Sequence, residues 1–497
     1  MLLALAAALA LPAFAAEPWE DTALTATGFA NEAALGDGAR STYTAAGEDA
    51  CVTLSRADGI AALYIEFDRV PAPWTLTEPA SGQTAPAGEN AFLHEYVDVA
   101  ALLGAPAQAL ELRFPVGTVV ADIYAFPQGG LPDWVQTWRP PLEQADLMLI
   151  SSHSDDEQLF FAGLLPYYAV ERRLDVQVAY LVQHFEAMGV QEHRRPHEQL
   201  DGLWTVGVRA YPLISDLPDL FSEGKSHETA LSAALAAYAS ADRDYDDFAA
   251  YLTACIRRCK PLVVVSHDWN GEYGHGTHVL CADTISTVIE AAADLSQYPE
   301  SAGYGAWHPE KTYLHLYAEN PLVMDLDTPY ESLGGKTPFE VTQDGFACHK
   351  SQHWTWFYEW IYGTDASPIT KASQIRHYSP CFYGLFDTQV GPDVNGGDMF
   401  ENIETYAQRR RRAAEEEAAR QKAEEEARRA EEEAAARQRA EEEARRAEEA
   451  AARAAQKSRQ ALLCAALAAL CAVCVLLAVR VLGHRRRSKR RHPKRKD

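Results

Sequence analysis

ADLMLISSHSDDEQLFF, residues 145–161, carries the reading on which the rest of the chain turns. Leu147 to Ile150 is an apolar run of strand length, and helical sequence near 157–173 follows the polar turn that ends it. A buried strand feeding a helix exposes the residues between them at its carboxyl end, where α/β sheets gather their functional groups. His153, Asp155 and Asp156 occupy that turn. A His and a carboxylate three residues apart can reach one ion from such a turn, leaving the intervening Asp155 as a base beside bound water. Helix capping by Asp155 and Asp156 is the plainer alternative.

DVQVAYLVQ (175–183) and PLVVVSH (261–267) repeat the strand pattern, with helical segments near 191–206 and 276–293 after them. Alternation of this kind predicts an α/β layer with a parallel sheet. The third strand runs into a second polar cluster, SHDWNGEYGHGTH (266–278), in which His275 and His278 lie about one turn apart. Gly271 and Gly274 allow sharp turns before them. Isolated histidines at helix starts are ordinary. Two clusters of ligand-type residues at two strand ends are a less ordinary coincidence.

These residues resemble the motifs of the PIG-L (LmbE-like) family of zinc-dependent de-N-acetylases. His153-Ser154-Asp155-Asp156-Glu157 stands where the family has HPDDE, and His275-Gly276-Thr277-His278 where it has an HPDH-type motif. The similarity covers roughly residues 130–320. It implies a Rossmann-like fold, zinc on His153, Asp156 and His278, Asp155 as general base, and His275 stabilising the oxyanion. Arg195, in Arg195-Pro196-His197-Glu198, is similar to the family's substrate-contacting Arg. Ser154 replaces Pro and Gly276-Thr277 replaces Pro-Asp, so no ligand is lost but any role of that Asp is absent. The implied reaction is removal of an N-acetyl group from an amino sugar in a glycan, glycolipid or small glycoside. His/His/Asp ligation suits iron or cobalt as well as zinc. The alternatives are a zinc hydrolase of another amide or ester, and a surface glycan-binding protein with a degenerate site.

Around this layer the composition changes repeatedly. Residues 1–15 form an apolar segment ending Ala13-Phe14-Ala15, the pattern of a cleaved export signal. Residues 16–130 hold short alternating runs such as ALYIEFDRV and TVVADIYAF between turn residues, predicting a β-sandwich-like module that loosely resembles galactose-binding-like jelly rolls. The deacetylase-like domain with its C-terminal extension is placed at 131–403. Within the extension, SQHWTWFYEWIYG (351–363) reads mainly as packing, with a sugar-facing role as the alternative.

Residues 404–460 are largely Ala, Glu, Arg and Gln, and many Glu residues precede an Arg by four, from Glu416–Arg420 to Glu449–Arg453. Without a Leu/Ile seam this reads as a single helical stalk, a weak Ala-lined dimer being the alternative. Residues 461–482 are long and apolar enough to span a bilayer, and the basic tail 483–497 marks the cytoplasmic side, placing the catalytic domain outside the cell. The formal net charge of −26 excludes nucleic acid as a partner of the acidic body. Six of the nine cysteines lie outside the span; Cys348 with Cys381 is the favoured disulfide, and Cys255 with Cys259 reads as packing on a helix. Oligomeric state is left open.

Overall fold

The computed structural model describes residues 22–89, 91–183 and 195–488. The export-signal segment and the end of the basic tail lie outside the described residues.

Eight strands come first: β1 (Thr22–Phe29), β2 (Thr44–Ile60), β3 (Ala62–Phe67), β4 (Trp74–Glu78), β5 (Gln83–Ala87), β6 (His94–Asp98), β7 (Ala107–Arg113) and β8 (Val119–Phe126). They form one sheet in the order β5-β4-β7-β2-β8-β3-β6, with β1 also on β2, and every ladder is antiparallel. The expected sandwich is therefore replaced by a single curled half-barrel. Its cause is β2, 17 residues long, which pairs with β7 through Cys51–Ile60 and with β8 at Thr44 and Ala45. A strand of that length carries the hydrogen-bond ladder around the corner where a sandwich would break it. Both halves close on one apolar core that includes Val52, Leu54, Leu63, Ile65, Trp74 and Leu112.

The second sheet contains β9 (Leu147–Ser151), β10 (Val176–Tyr180), β11 (Leu213–Ile214), β12 (Val263–Ser266), β13 (Lys311–His315), β14 (Pro321–Val323) and β15 (Phe382–Thr388). Its order is β11-β10-β9-β12-β13-β15-β14. Ladders from β11 to β13 are parallel, whereas β15 runs antiparallel to both β13 and β14. The sheet is thus mixed. The fold class expected from the sequence, a Rossmann-like layer with a parallel sheet behind a β-sandwich, is corrected on both counts. The first sheet is wholly antiparallel, and the return of the C-terminal extension as β15 reverses the far edge of the second.

Alternate residues of the central strands enter two separate cores, as the two-residue period of a strand requires. Leu147, Leu149, Val263 and Val265 join one with Phe160, Leu200, Phe339 and Phe346; Met148, Ile150 and Val264 join the other with Leu252, Ile256, Leu280 and Ile285. The helices that contribute to these cores are α1 (Arg195–Thr205), α2 (His227–Ala239), α3 (Tyr245–Cys259), α4 (Gly276–Ala293) and α5 (Pro338–Phe346). Leu93, from the half-barrel, is fully buried in the first of these cores, so the two sheets share apolar packing. Arg40 adds an ion pair across the same boundary, to Glu66 beside it and to Asp201 on α1 at 2.7 Å.

Cys348 and Cys381 are both free, which corrects the expected disulfide. Cys381 is buried just ahead of β15 with Ser379, while Cys348 lies against Thr205 and Asp344.

A separate unit, Arg409–Asp497, contains most of α6 (Tyr406–Ser488), one unbroken helix. Glu425–Arg429, Glu433–Arg437 and Glu449–Arg453 pair as their spacing expects, whereas Arg420 and Arg428 turn to Glu417 and Glu425 three residues back. Its final part is long and apolar enough to cross a membrane.

Candidate metal centre

The turn after β9 brings His153, Asp155 and Asp156 against the start of α4, which carries His278. His153 Nδ1 lies 3.0 Å from Asp156 Oδ2 and 3.1 Å from His278 Nε2, and Asp156 Oδ2 lies 3.3 Å from His278 Nε2. Three donor atoms on a tetrahedral ion at ~2.0–2.1 Å would stand roughly 3.3 Å apart. All three side chains are buried. The set fits a divalent cation of the zinc type by both spacing and chemistry.

Two further histidines crowd the same point, in the buried groupings His153/His275/His278 and Asp156/His267/His278. Hydrogen bonds distinguish their roles. His267 Nε2 accepts from the Ser152 backbone N–H at 2.8 Å, so its lone pair is already used. His275 caps α4, its Nδ1 accepting from the Thr277 N–H at 3.2 Å, which leaves the proton on Nε2. His275 is therefore a donor toward the site. Burial, then the neighbouring His153 and His278, hold its pKa well below the usual histidine value, so the ring is neutral.

Each proposed ligand histidine has a carboxylate on its far nitrogen, the arrangement that fixes ring orientation in metal sites. Asp219 Oδ1 is 3.3 Å from His153 Nε2. Glu272 accepts from His278 Nδ1 at 2.8 Å, and also from His267 Nδ1 at 2.8 Å and His315 Nδ1 at 2.6 Å. Burial would raise the Glu272 carboxyl, but His267 and the hydrogen bonds from the three rings outweigh it and hold its pKa well below the carboxylate range. Burial likewise disfavours protonated ligand rings, yet Asp219 and Asp156 push His153 up to about 10, and Asp156 and Glu272 push His278 up to about 9. This concentration of negative charge suits a bound cation.

Asp155 has φ +136, a conformation rarely adopted by a residue with a side chain. Its backbone N–H is tied to Glu157 Oε2 at 2.9 Å. Arg195, at the start of α1, clamps the turn through Ser154 O at 3.0 Å and Asp155 Oδ1 at 3.0 Å. Burial raises the Asp155 carboxyl above its ordinary range, Arg195 opposing it. The loop before α4 needs both its glycines: Gly271 has φ +69, and at Gly274 (φ +73) a Cβ would sit 2.3 Å from the Gly224 carbonyl oxygen.

The structure thus brings together all six residues singled out in the sequence and adds Glu272, Asp219, His267 and His315. Of these, Glu272 and His267 had a local signal, an acid and a histidine within the second cluster. Asp219 and His315 had none.

No family model matches the chain. It is 31% identical over 186 residues to the 1D-myo-inositol 2-acetamido-2-deoxy-alpha-D-glucopyranoside deacetylase of Rhodococcus jostii, covering 35% of this chain and 61% of that protein. The Geodermatophilus obscurus protein of the same name is 26% identical over 212 residues, 40% of this chain and 70% of its own. The mycothiol S-conjugate amidase of Streptomyces coelicolor is 32% identical over 97 residues, 20% and 33% of the two chains. The chain thus spans about three-fifths of the Rhodococcus relative's length. With the His/Asp cluster above, these relatives define what the chain is similar to: metal-site deacetylases of the PIG-L (LmbE-like) kind.

Proposed function

We propose that the chain is a metal-dependent hydrolase that removes an N-acetyl group from an amino sugar. The observation that carries this is the convergence of His153 Nδ1, Asp156 Oδ2 and His278 Nε2 within 3.3 Å, with His275 in the same buried cluster and Asp155 in the same turn as His153 and Asp156. Those three atoms are the proposed ligands. A zinc ion held there would act as a Lewis acid on the amide carbonyl and lower the pKa of the attacking water.

The chain's own residues supply the rest. Asp155 takes the proton of the water as its oxygen attacks the carbonyl carbon. His275 donates from Nε2 to the oxygen that gains negative charge. The proton on Asp155 then passes to the nitrogen, the C–N bond breaks, and acetate and the free amine leave. Arg195 holds Asp155 in place through the bond to Oδ1, and is the proposed contact to the sugar. The relatives' names support an amino-sugar amide as substrate. The same donors would also serve another amide, as the amidase relative suggests.

The apolar part of α6 would anchor the enzyme in a membrane. The Lys/Arg-rich sequence that follows it favours a cytoplasmic carboxyl end, which puts the catalytic layer outside.

Acetate release from a panel of N-acetylglucosaminides tests the reading, using the full-length chain in detergent with and without metal. Release that disappears on chelation and returns with zinc is expected. A folded, zinc-loaded chain that releases no acetate from any member would overturn it.

A further inference from the structure

Aromatic rings pack against the histidines of the metal centre. Phe221 packs edge-on against His275 at 5.3 Å between centroids, and on the same histidine Tyr273 stands at 5.5 Å. Tyr273 in turn meets Trp356 at 5.7 Å and Phe357 at 5.8 Å. Beneath them the buried Phe160 touches His278 at 5.5 Å, Trp360 at 5.6 Å and Phe357 at 6.0 Å. A continuous set of aromatic contacts therefore runs from the metal-site histidines to Trp356, Phe357 and Trp360.

Two observations separate this surface from ordinary packing. Phe221 is 70% exposed, Trp356 48% and Trp354 71%, so the outermost rings lack cover on the side that faces away from the core. Tyr273, the ring that links them to His275, is held at φ +47, an unfavourable backbone angle for a side chain of that size. A large apolar ring left exposed beside a buried polar site is the composition of a ligand cleft, where apolar faces give contact and a few polar groups give orientation. The polar groups are present in Asp219, beside the proposed ligand His153, and Arg195, beside the proposed base Asp155.

We infer that Trp356, packed on Tyr273, which with Phe221 packs against His275, forms a subsite for the sugar ring next to the N-acetylated one. The ligand class is a glycan of at least two pyranose units, whose C–H faces stack on these rings while the acetamido group enters between His275 and Asp155. A pyranose ring suits the site because it is amphipathic, with an apolar face for the indole and hydroxyl edges left to water. This inference rests on the deacetylase reading and sharpens it. Trp356 and Phe221 would decide how the enzyme discriminates a glycan from a single sugar.

The test uses the full-length chain in a detergent without a sugar headgroup. Acetate release is measured on N-acetylglucosamine, N,N'-diacetylchitobiose and tetra-N-acetylchitotetraose for wild type, Trp356→Ala, Trp356→Tyr and Phe221→Ala. Binding of the tetrasaccharide to Asp155→Ala, with and without Trp356→Ala, is measured by calorimetry. The tetramer-to-monomer ratio of kcat/KM is expected to fall about tenfold in Trp356→Ala, mainly through KM, and to recover in Trp356→Tyr. Tetrasaccharide binding by Asp155→Ala should weaken by a similar factor when Trp356 is removed. An unchanged ratio and unchanged binding would overturn the subsite while leaving the deacetylase intact. Trp356-dependent binding without acetate release from any sugar would uphold the subsite and reject the deacetylase.

Discussion

Arg195 Nη2 donates to Asp155 Oδ1 at 3.0 Å, joining the start of α1 to the proposed base on its strained turn. Asp155→Ala is expected to lower kcat by about 10²–10⁴-fold, the usual worth of a positioned base. Arg195→Ala has a signed consequence. The guanidinium favours the ionised carboxylate against the effect of burial, so removing it raises the Asp155 pKa. Only the ionised form accepts a proton, and the acid limb of the kcat/KM profile should move to higher pH. A profile that falls in height with its acid limb unmoved would show that Arg195 acts on substrate alone.

Glu272 binds three imidazoles at once, including the far nitrogen of His278. Its replacement by Gln should weaken zinc affinity about 10–100-fold in a chelator competition, the range found for partners of ligand histidines. Asp219→Asn should do the same through His153. Affinity equal to wild type in both would reduce these carboxylates to packing.

Metal binding should release protons. In the metal-free centre His153 is pushed up to about 10 and His278 to about 9, so both rings carry their second proton at neutral pH. A cation must displace those protons, and its affinity should therefore rise with pH up to about 9–10 and fall as pH drops. Calorimetry of zinc uptake at pH 7 in buffers of different ionisation enthalpy reads the number released. Uptake with no proton release at pH 7 would contradict the assignment of these two rings as ligands.

The half-barrel and the mixed sheet should not separate cleanly. Leu93 is buried in the core of the catalytic layer, and Arg40 bridges Glu66 and Asp201. Arg40→Ala is expected to cost about 1–3 kcal/mol, measured by thermal or denaturant unfolding, because it leaves Glu66 buried without its cation. Stability within a few tenths of wild type would mean that the two sheets meet only incidentally.

Much of the site was legible in the sequence because its signals are local. His153, Asp155 and Asp156 follow an apolar run at one strand end, and His275 and His278 follow another, so short-range pattern brings both clusters to the same edge. What remained hidden depends on long-range partners. Asp219 and His315 reach the centre from separate elements, and His267 differs from His278 in having its Nε2 occupied by a distant backbone N–H. The fold class failed for the same reason. Nothing near Phe382–Thr388 announces that this strand will pair antiparallel with Lys311–His315, and alternation in Thr44–Ile60 does not reveal that one strand turns the corner between two sheets. The aromatic run 351–363 read mainly as packing, but Trp354 and Trp356 are exposed while Ile361 is buried, so the segment divides between both roles.

The central claim, hydrolysis at a metal centre with Asp155 as base, is tested most directly by pairing two readings on one preparation. Wild type and Asp155→Asn, each full-length and zinc-loaded, are assayed for bound zinc and for acetate released from N-acetylglucosaminides. One zinc per chain in both proteins is expected, with acetate formed by wild type and reduced at least a hundredfold in the variant. Equal acetate release from both, or a folded wild type that binds no zinc, would contradict the account.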